Sequence, residues 1–256
     1  MTNDDYPSGA PCWVDTAQPE PHAAMRFYGP LLGWSFDDAV AMPDGVDGDY
    51  FAARHAGRLV AGVGQATSSS PATWRTHVRV DDIEQVITRA ERYGGTRLTD
   101  PVDAQGGRVA TITDSTGVPF CLWQPGMGSL SGAEVINEPN TWAMSSLHTA
   151  DVVRAREFYG NVFGWQLDTM STATFSRWRL SGRVVAVVTA TDDTAVPQHW
   201  SVNFAVRDTD AITQHTTALG GHVVMPPTDT PGFRSAVVAD PQGGFIAVSA
   251  RRPSMR

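Results

Sequence analysis

The chain has 256 residues with a formal net charge of −8, and its 19 basic residues are all arginine. The absence of lysine excludes Schiff-base chemistry, a pyridoxal-phosphate anchor and a Walker-type phosphate loop, and the acidic balance argues against an electrostatic nucleic-acid binder. Hydrophobic residues make up 41%, yet no apolar run approaches the roughly 20 residues of a membrane span. Residues 1–9 are polar and acidic, without the basic and apolar regions of a signal peptide, so a soluble cytoplasmic protein is expected. Two cysteines, Cys12 and Cys121, supply neither a disulfide framework nor a four-cysteine zinc site.

In chain order, a short strand over Cys12 to Thr16 leads into an amphipathic helix over Glu20 to Leu32, which the glycine before Trp34 ends. Asp37 to Asp49 reads as an enlarged loop, rich in Asp, Gly and Pro. Strands including Leu59 to Val63 follow. Then comes a second strand-helix unit, Arg75 to Val80 and Asp82 to Tyr93, with Asp81-Asp82 as the cap. Val109 to Thr113 and Pro119 to Trp123 close the set. After Pro125 to Asn140, which reads as a surface linker, the pattern starts again. Strands or helices are expected at Trp142 to Leu147, Val152 to Phe163, Val184 to Val188, His199 to Val206, Asp210 to Leu219, Ser235 to Ala239 and Gly244 to Ser249.

The second half is a copy of the first. Phe27-Tyr28 through Gly33-Trp34 returns as Phe158-Tyr159 through Gly164-Trp165, at an offset of 131. Gly57-Arg58 returns as Gly182-Arg183 at 125. Trp74, Val80, Gly94-Gly95 and Asp114 return as Trp200, Val206, Gly220-Gly221 and Asp240 at 126. The expected organisation is a domain over residues 8–124, a linker over 125–140 and a second domain over 141–252. The class is α+β, with four βαβββ modules.

These motifs, with Val80-Asp81-Asp82 and Asp240-Pro241-Gln242-Gly243, resemble the vicinal-oxygen-chelate (VOC) superfamily of glyoxalase I, bleomycin-resistance proteins and extradiol dioxygenases. Pro11-Cys12-Trp13-Val14-Asp15 is similar to a tandem branch found in actinomycetes. The resemblance covers roughly residues 10–250. It implies two open-barrel domains, each enclosing a cleft for a small-molecule ligand. In metal-dependent members it also implies His, Glu or Gln ligands on facing strands. Those positions fall on Trp13, near Arg75 and near Cys121 in copy one, and on Met144, Ser201 and Ala247 in copy two. All six glutamates lie on expected helices or in the linker. Among the histidines, His55 reads as a turn residue, His148 as following a strand, and only His77 as mid-strand. A site needs three or four convergent donors, so neither metal nor cofactor is expected.

Strand alternation places Trp13, Asp15, Arg75, His77, Arg79, Cys121 and Trp123 on one face of copy one. Val14, Val78, Val80 and Leu122 fall on the opposite face, against helices. Tyr50, Arg54 and Gln65 are expected to join the cleft. His77 reads as a general acid or base oriented by Asp15, or as a hydrogen-bonded histidine without a chemical role. Arg75 and Arg79 read as anion clamps or as partners in ion pairs. Cys121 reads as a packed hydrophobe more than a nucleophile. Trp13 and Trp123 are candidates to stack on a flat ligand, whereas Trp74, repeated as Trp200, reads as core. In copy two, Arg177 and Arg179 alternate with Trp178, so either the arginines or the tryptophan face inward. Copy one is expected to be the active cleft, and the resemblance allows either a monomer or a homodimer. The function expected is metal-independent lyase, isomerase or cyclase chemistry on an aromatic or polyketide-like metabolite. The alternatives are a non-catalytic binding or resistance protein and a metal-dependent lyase or oxygenase.

Overall fold

The computed structural model describes residues 6–43, 46–67, 70–168, 175–192 and 197–252. The first copy comprises β1 (Pro11–Gln18), α1 (Pro21–Leu32), β2 (Ser35–Phe36), β3 (Val40–Ala41), β4 (Asp49–His55), β5 (Arg58–Gln65), β6 (Thr73–Arg79), α2 (Ile83–Arg92), β7 (Thr96–Arg97), β8 (Val102–Ala104), β9 (Gly107–Thr113) and β10 (Pro119–Pro125). The second comprises β11 (Trp142–Thr149), α3 (Val152–Phe163), β12 (Gln166–Asp168), β13 (Ser176–Leu180), β14 (Arg183–Ala190), β15 (His199–Ala205), α4 (Thr209–Ala218), β16 (His222–Thr230), β17 (Phe233–Ala239) and β18 (Phe245–Arg251). Each copy forms its own sheet. One runs β2-β4-β5-β1-β6-β10-β9-β7, with β3 on β4 and β8 on β9; the other runs β12-β13-β14-β11-β15-β18-β17-β16. The α+β class and the duplicated topology agree with the sequence.

Local chemistry explains the helices. In α2, Ile83, Val86, Ile87 and Ala90 form the buried stripe, and the Asp82 carboxylate accepts from Gln85 N. Asp151 and Asp208 cap α3 and α4 in the same way. Gly33 and Gly164 end α1 and α3 at φ of 65° and 75°, in the left-handed region that favours glycine.

By packing, the described residues fall into two compact units, and each unit draws on both copies. Unit one takes them from Met1–Trp13, Thr76–Gly132 and Met144–Ser201; unit two takes them from Val14–Arg75, Ala133–Ala143 and Val202–Arg256. The core of unit two joins Phe27, Tyr28, Leu32 and Trp74 of copy one to Val202, Phe204, Val238 and Ile246 of copy two. The core of unit one joins Val80, Ile83, Ile87 and Phe120 to Phe158, Tyr159, Trp165 and Trp178.

The same buried relay sits in each core. In unit two, Trp74 Nε1 donates to Tyr28 Oη at 2.9 Å, and Tyr28 Oη donates to Asp240 Oδ2 at 2.8 Å. In unit one, Trp200 Nε1 donates to Tyr159 Oη at 2.9 Å, and Tyr159 Oη donates to Asp114 Oδ2 at 2.9 Å. Burial, and after it the neighbouring carboxylate, pushes both phenols well above their ordinary range. The second oxygen of each aspartate organises its own turn: Asp114 Oδ1 accepts from Thr116 N and Val118 N, and Asp240 Oδ1 from Gln242 N and Gly244 N.

Several sequence expectations need correction. β1 and β11 each run two residues beyond the predicted end, so His148 lies within a strand. His55 belongs to β4. The 37–49 segment contains β3, paired with β4. The 125–140 segment is not simply draped over the surface, because Ala133 and Val135 are buried and Glu134 exchanges hydrogen bonds with Leu59.

Replacing Tyr159 with Phe removes both links of one relay and leaves a buried indole N–H and a carboxylate oxygen short of a partner. The expected cost is about 1–3 kcal/mol, read as a lower denaturation midpoint with an unchanged circular dichroism spectrum. An unshifted midpoint would show that the relay does not hold unit one together.

Candidate functional site

In unit two, β1 delivers Asp15, only 2% exposed, next to Gly62 of β5 in the strand register. Arg75 clamps it with two parallel bonds, Nε to Oδ1 at 2.8 Å and Nη2 to Oδ2 at 2.9 Å. A carboxylate with so little exposure requires such a charge-assisted partner. Tyr50 Oη also donates to Asp15 Oδ2, at 3.4 Å. Two glycines make that contact geometrically available. A Cβ at Gly62 would overlap the Tyr50 hydroxyl, and one at Gly64 would lie 2.8 Å from Tyr50 Cδ2. The ring therefore lies on a strip of bare backbone and points its hydroxyl at the carboxylate. Sequence reasoning selected Asp15, Arg75 and Tyr50 but missed Gly62 and Gly64. The available signal was a pair of glycines two residues apart, on one face of the strand.

Two further candidates of unit two are engaged elsewhere. Arg54 binds Asp37 through Nε at 2.7 and 2.9 Å and the Gly57 carbonyl at 2.9 Å. Gln65 Nε2 donates to the Pro19 carbonyl at 2.9 Å.

Unit one holds the remaining copy-one candidates. His77, Cys121 and Thr111 form one row across β6, β10 and β9; Arg79, Trp123 and Val109 form another. Val78 and Leu122 alternate into the core, which fixes His77 and Arg79 to the face the sequence assigned. His77 is 5% exposed, and Cys121 is 1% exposed with its sulfur 3.7 Å from Thr111 Oγ1. Arg79 pairs with Asp81 at 2.6 Å. Trp13 and Trp123 are half-buried. The other thiol, Cys12, is fully buried and donates to the His77 carbonyl. Burial raises it far above the ordinary thiol range, against an opposing pull from Arg79, and leaves it unreactive.

The copy-two strands settle the Arg-Trp alternation. Trp178 is fully buried in the core, so Arg177 and Arg179 lie on the opposite face, where both bind Asp168 Oδ2 at 3.2 and 2.9 Å. Leu147 points to the core, leaving Ser146 and His148 on the other side of β11. His148 stacks on His199, with ring centroids 4.8 Å apart and planes 6° apart, and His199 Nδ1 meets the Pro197 carbonyl at 2.8 Å. Within unit two, Asn203 Nδ2 donates to Ser249 Oγ at 3.0 Å, and Ser249 Oγ lies 2.9 Å from Ser235 Oγ.

Two measurements probe these arrangements. Gly62→Ala should lift the Tyr50 ring off β5. Nitration of Tyr50 by tetranitromethane should then accelerate while the melting temperature moves only slightly, and unchanged nitration would show that the glycine strip does not place the ring. Burial, and then the neighbouring His199, lowers His148 from 6.5 to about 4. The unfolded chain therefore takes up more protons than the folded one between these values, and stability falls as pH drops from 6.5 toward 4. His148→Gln should flatten that part of the stability–pH curve relative to the parent, and identical curves would contradict the assignment.

Comparison with known proteins identifies the family of the chain. A glyoxalase-like domain model matches residues 13–123 and again 144–249. A protein named as a glyoxylase, CFP32 of Mycobacterium tuberculosis, is 34% identical over 258 residues, covering 97% of each chain. The anthracycline biosynthesis protein DnrV of Streptomyces peucetius is 34% identical over 266 residues, covering 96% of this chain and 95% of its own. Among solved structures, the Mn(II)-bound glyoxalase of Novosphingobium aromaticivorans superposes with a TM-score of 0.63 at 13% identity, over 95% of this chain and 82% of the other. The chain thus belongs to the glyoxalase-like domain family of the VOC superfamily, as a tandem of two copies.

Proposed function

We propose that this protein is a small-molecule enzyme that performs metal-independent lyase, isomerase or cyclase chemistry on an aromatic or polyketide-like metabolite. The observation that carries the reading is the Asp15–Arg75 chelate with the Tyr50 hydroxyl 3.4 Å away. Both carboxylate oxygens accept from the guanidinium, so Asp15 is a fixed negative charge with its lone pairs largely engaged. The proton in motion belongs to Tyr50. At 3.4 Å its bond to Asp15 is long, and the O–H can swing to an oxyanion developing on a bound carbonyl and return. Arg75 cannot exchange a proton in a protein, and it holds the charge of the cluster constant through the cycle. His77, in unit one, is the second proposed acid or base, to be tested separately.

The donor set supports a route without metal. The superfamily's ligand positions carry Trp13, Arg75 and Cys121 in one copy and Met144, Ser201 and Ala247 in the other. Among the described residues no three His, Cys, Asp or Glu side chains are grouped to hold an ion. These residues do not fit a divalent centre, and no step here runs through one. The kinship with DnrV, whose name places that protein in anthracycline biosynthesis, supports the aromatic polyketide class of substrate.

The test is turnover of a panel of hydroxylated anthraquinones and their precursors by purified protein. Asp15→Asn and Tyr50→Phe should each lower kcat about 10²-fold or more while Kd changes only a few-fold, and chelator treatment should leave kcat unchanged. Stoichiometric Fe, Ni, Zn or Mn required for turnover would overturn the metal-independent reading. Tight binding with no conversion of any member of the panel, and loss of affinity in Asp15→Asn, would make this a binding or sequestration protein.

A further inference from the structure

Unit one holds a buried phenol–carboxylate pair that the chemistry at Asp15 and Tyr50 does not use. Tyr159 is fully buried, and its hydroxyl lies 2.9 Å from Asp114 Oδ2. Three tryptophans surround the same ring. Trp165 stacks on it, with centroids 4.9 Å apart and planes 14° apart. Trp178 and Trp200 both lie at 5.7 Å, and Trp165 lies 5.8 Å from Trp178. Rings this close exchange electrons readily, so a vacancy created on one tryptophan reaches the phenol.

The hydrogen bonds decide where such a vacancy comes to rest. A tryptophan that loses an electron becomes a cation, and releasing its indole proton requires a base. Trp165 Nε1 faces the Gly9 carbonyl and Trp200 Nε1 the Tyr159 hydroxyl, neither of which is basic. Trp178 Nε1 is buried without a hydrogen-bond partner among the described residues. Within the cluster it is the phenol that faces a carboxylate, at a distance suited to direct proton transfer. Asp114 is anchored for that task. Its Oδ1 accepts from Thr116 N, Thr116 Oγ1 and Val118 N, while Oδ2, among the described residues, accepts from Tyr159 alone.

The sister cluster differs in both respects. Ala53 stands in copy one where copy two has Trp178, at an offset of 125, and Tyr28 has Trp34 and Trp74 as neighbours at 6.2 and 5.3 Å. Asp240 Oδ2 accepts from Gln18 Nε2 at 2.7 Å as well as from Tyr28, which lowers its basicity toward the phenol.

We propose that Trp165, Trp178 and Trp200, with the Tyr159–Asp114 pair, form a sink for one-electron oxidising equivalents. The oxidant is a diffusible outer-sphere acceptor that takes one electron from the cluster, most directly from Trp200, which at 7% is the most exposed of the three. Tyr159 returns that electron to the tryptophan and passes its phenolic proton to Asp114 Oδ2. The products are a neutral tyrosyl radical, a protonated Asp114 and the reduced oxidant. A one-electron reductant of the ascorbate class restores the phenol, which recovers its proton from Asp114. The device stands on core residues of unit one and does not depend on the chemistry assigned to Asp15 and Tyr50.

The experiment is flash photolysis of the whole protein with tris(bipyridine)ruthenium(II) and a sacrificial cobalt(III) quencher. Transient absorption, and electron paramagnetic resonance after freezing, read the radicals. The expected result is a tryptophanyl signal that decays into a long-lived tyrosyl radical, more slowly in heavy water. Tyr159→Phe should lose the tyrosyl signal and prolong the tryptophanyl one. Asp114→Asn should slow tyrosyl formation about 10²-fold. The combined variant Tyr6→Phe, Tyr50→Phe and Tyr93→Phe, which alters no residue of the cluster, should keep the long-lived radical. Its retention in Tyr159→Phe, or its loss in the triple variant, would overturn the proposal. So would equal rates of formation in light and heavy water. The triple variant and the solvent comparison decide the outcome however well Tyr159→Phe and Asp114→Asn fold.

Discussion

The rest of the structure depends on a buried hydrogen bond made twice, from a helix tyrosine to an aspartate in the closing turn of the other copy. Tyr28 reaches Asp240 and Tyr159 reaches Asp114, and each phenol also accepts from an indole, Trp74 or Trp200. In unit two Gln18 Nε2 also donates to Asp240 Oδ2 at 2.7 Å, but in both units losing the phenol leaves a buried indole N–H unsatisfied, so each relay must form or incur the cost of unsatisfied burial. The relay also explains why the duplicated motifs are a Phe-Tyr helix, a strand tryptophan and an aspartate turn. These are the pieces through which one copy is fastened to the other inside each unit. The other face of each sheet carries the charged differences between the copies, with Asp15 against Ser146 and Ala52 against Arg177.

That division decides where chemistry can reside. The core positions of the relay repeat identically, as Trp74 and Trp200 or Tyr28 and Tyr159 do, whereas others vary in size, as Ala53 and Trp178 or Ile83 and Thr209 do. The opposite faces differ in kind. Copy one carries a clamped carboxylate under a phenol, and copy two carries a pair of arginines beside stacked imidazoles. A duplicated scaffold can therefore keep its fold in one set of residues and change its ligand chemistry in another, with little cross-talk in stability.

The fold was legible in the sequence because the repeat, the helix-ending glycines and the aspartate caps each have a local physical cause. The face of Asp15, Arg75 and His77 was legible because Val14, Val78 and Leu122 alternate against them. Three things were not. The contact between Tyr50 and Asp15 depends on the missing side chains of Gly62 and Gly64, and period-two reading does not show what lies on a bare strand. His148 was passed over because its strand continues through the polar residues Thr149 and His148, where hydrophobic alternation gives no signal. The pairing of modules from different copies into compact units has no signature in local pattern, since the repeated halves of each relay are far apart in sequence.

The proposed function requires Asp15, Arg75 and Tyr50 to act on a bound ligand directly. The most direct measurement is a crystal structure with a bound hydroxyanthraquinone. The prediction is a ligand oxygen within hydrogen-bond reach of Tyr50 Oη, with the Asp15–Arg75 chelate intact. A ligand bound away from Tyr50, or held to the protein through a metal ion, would contradict it.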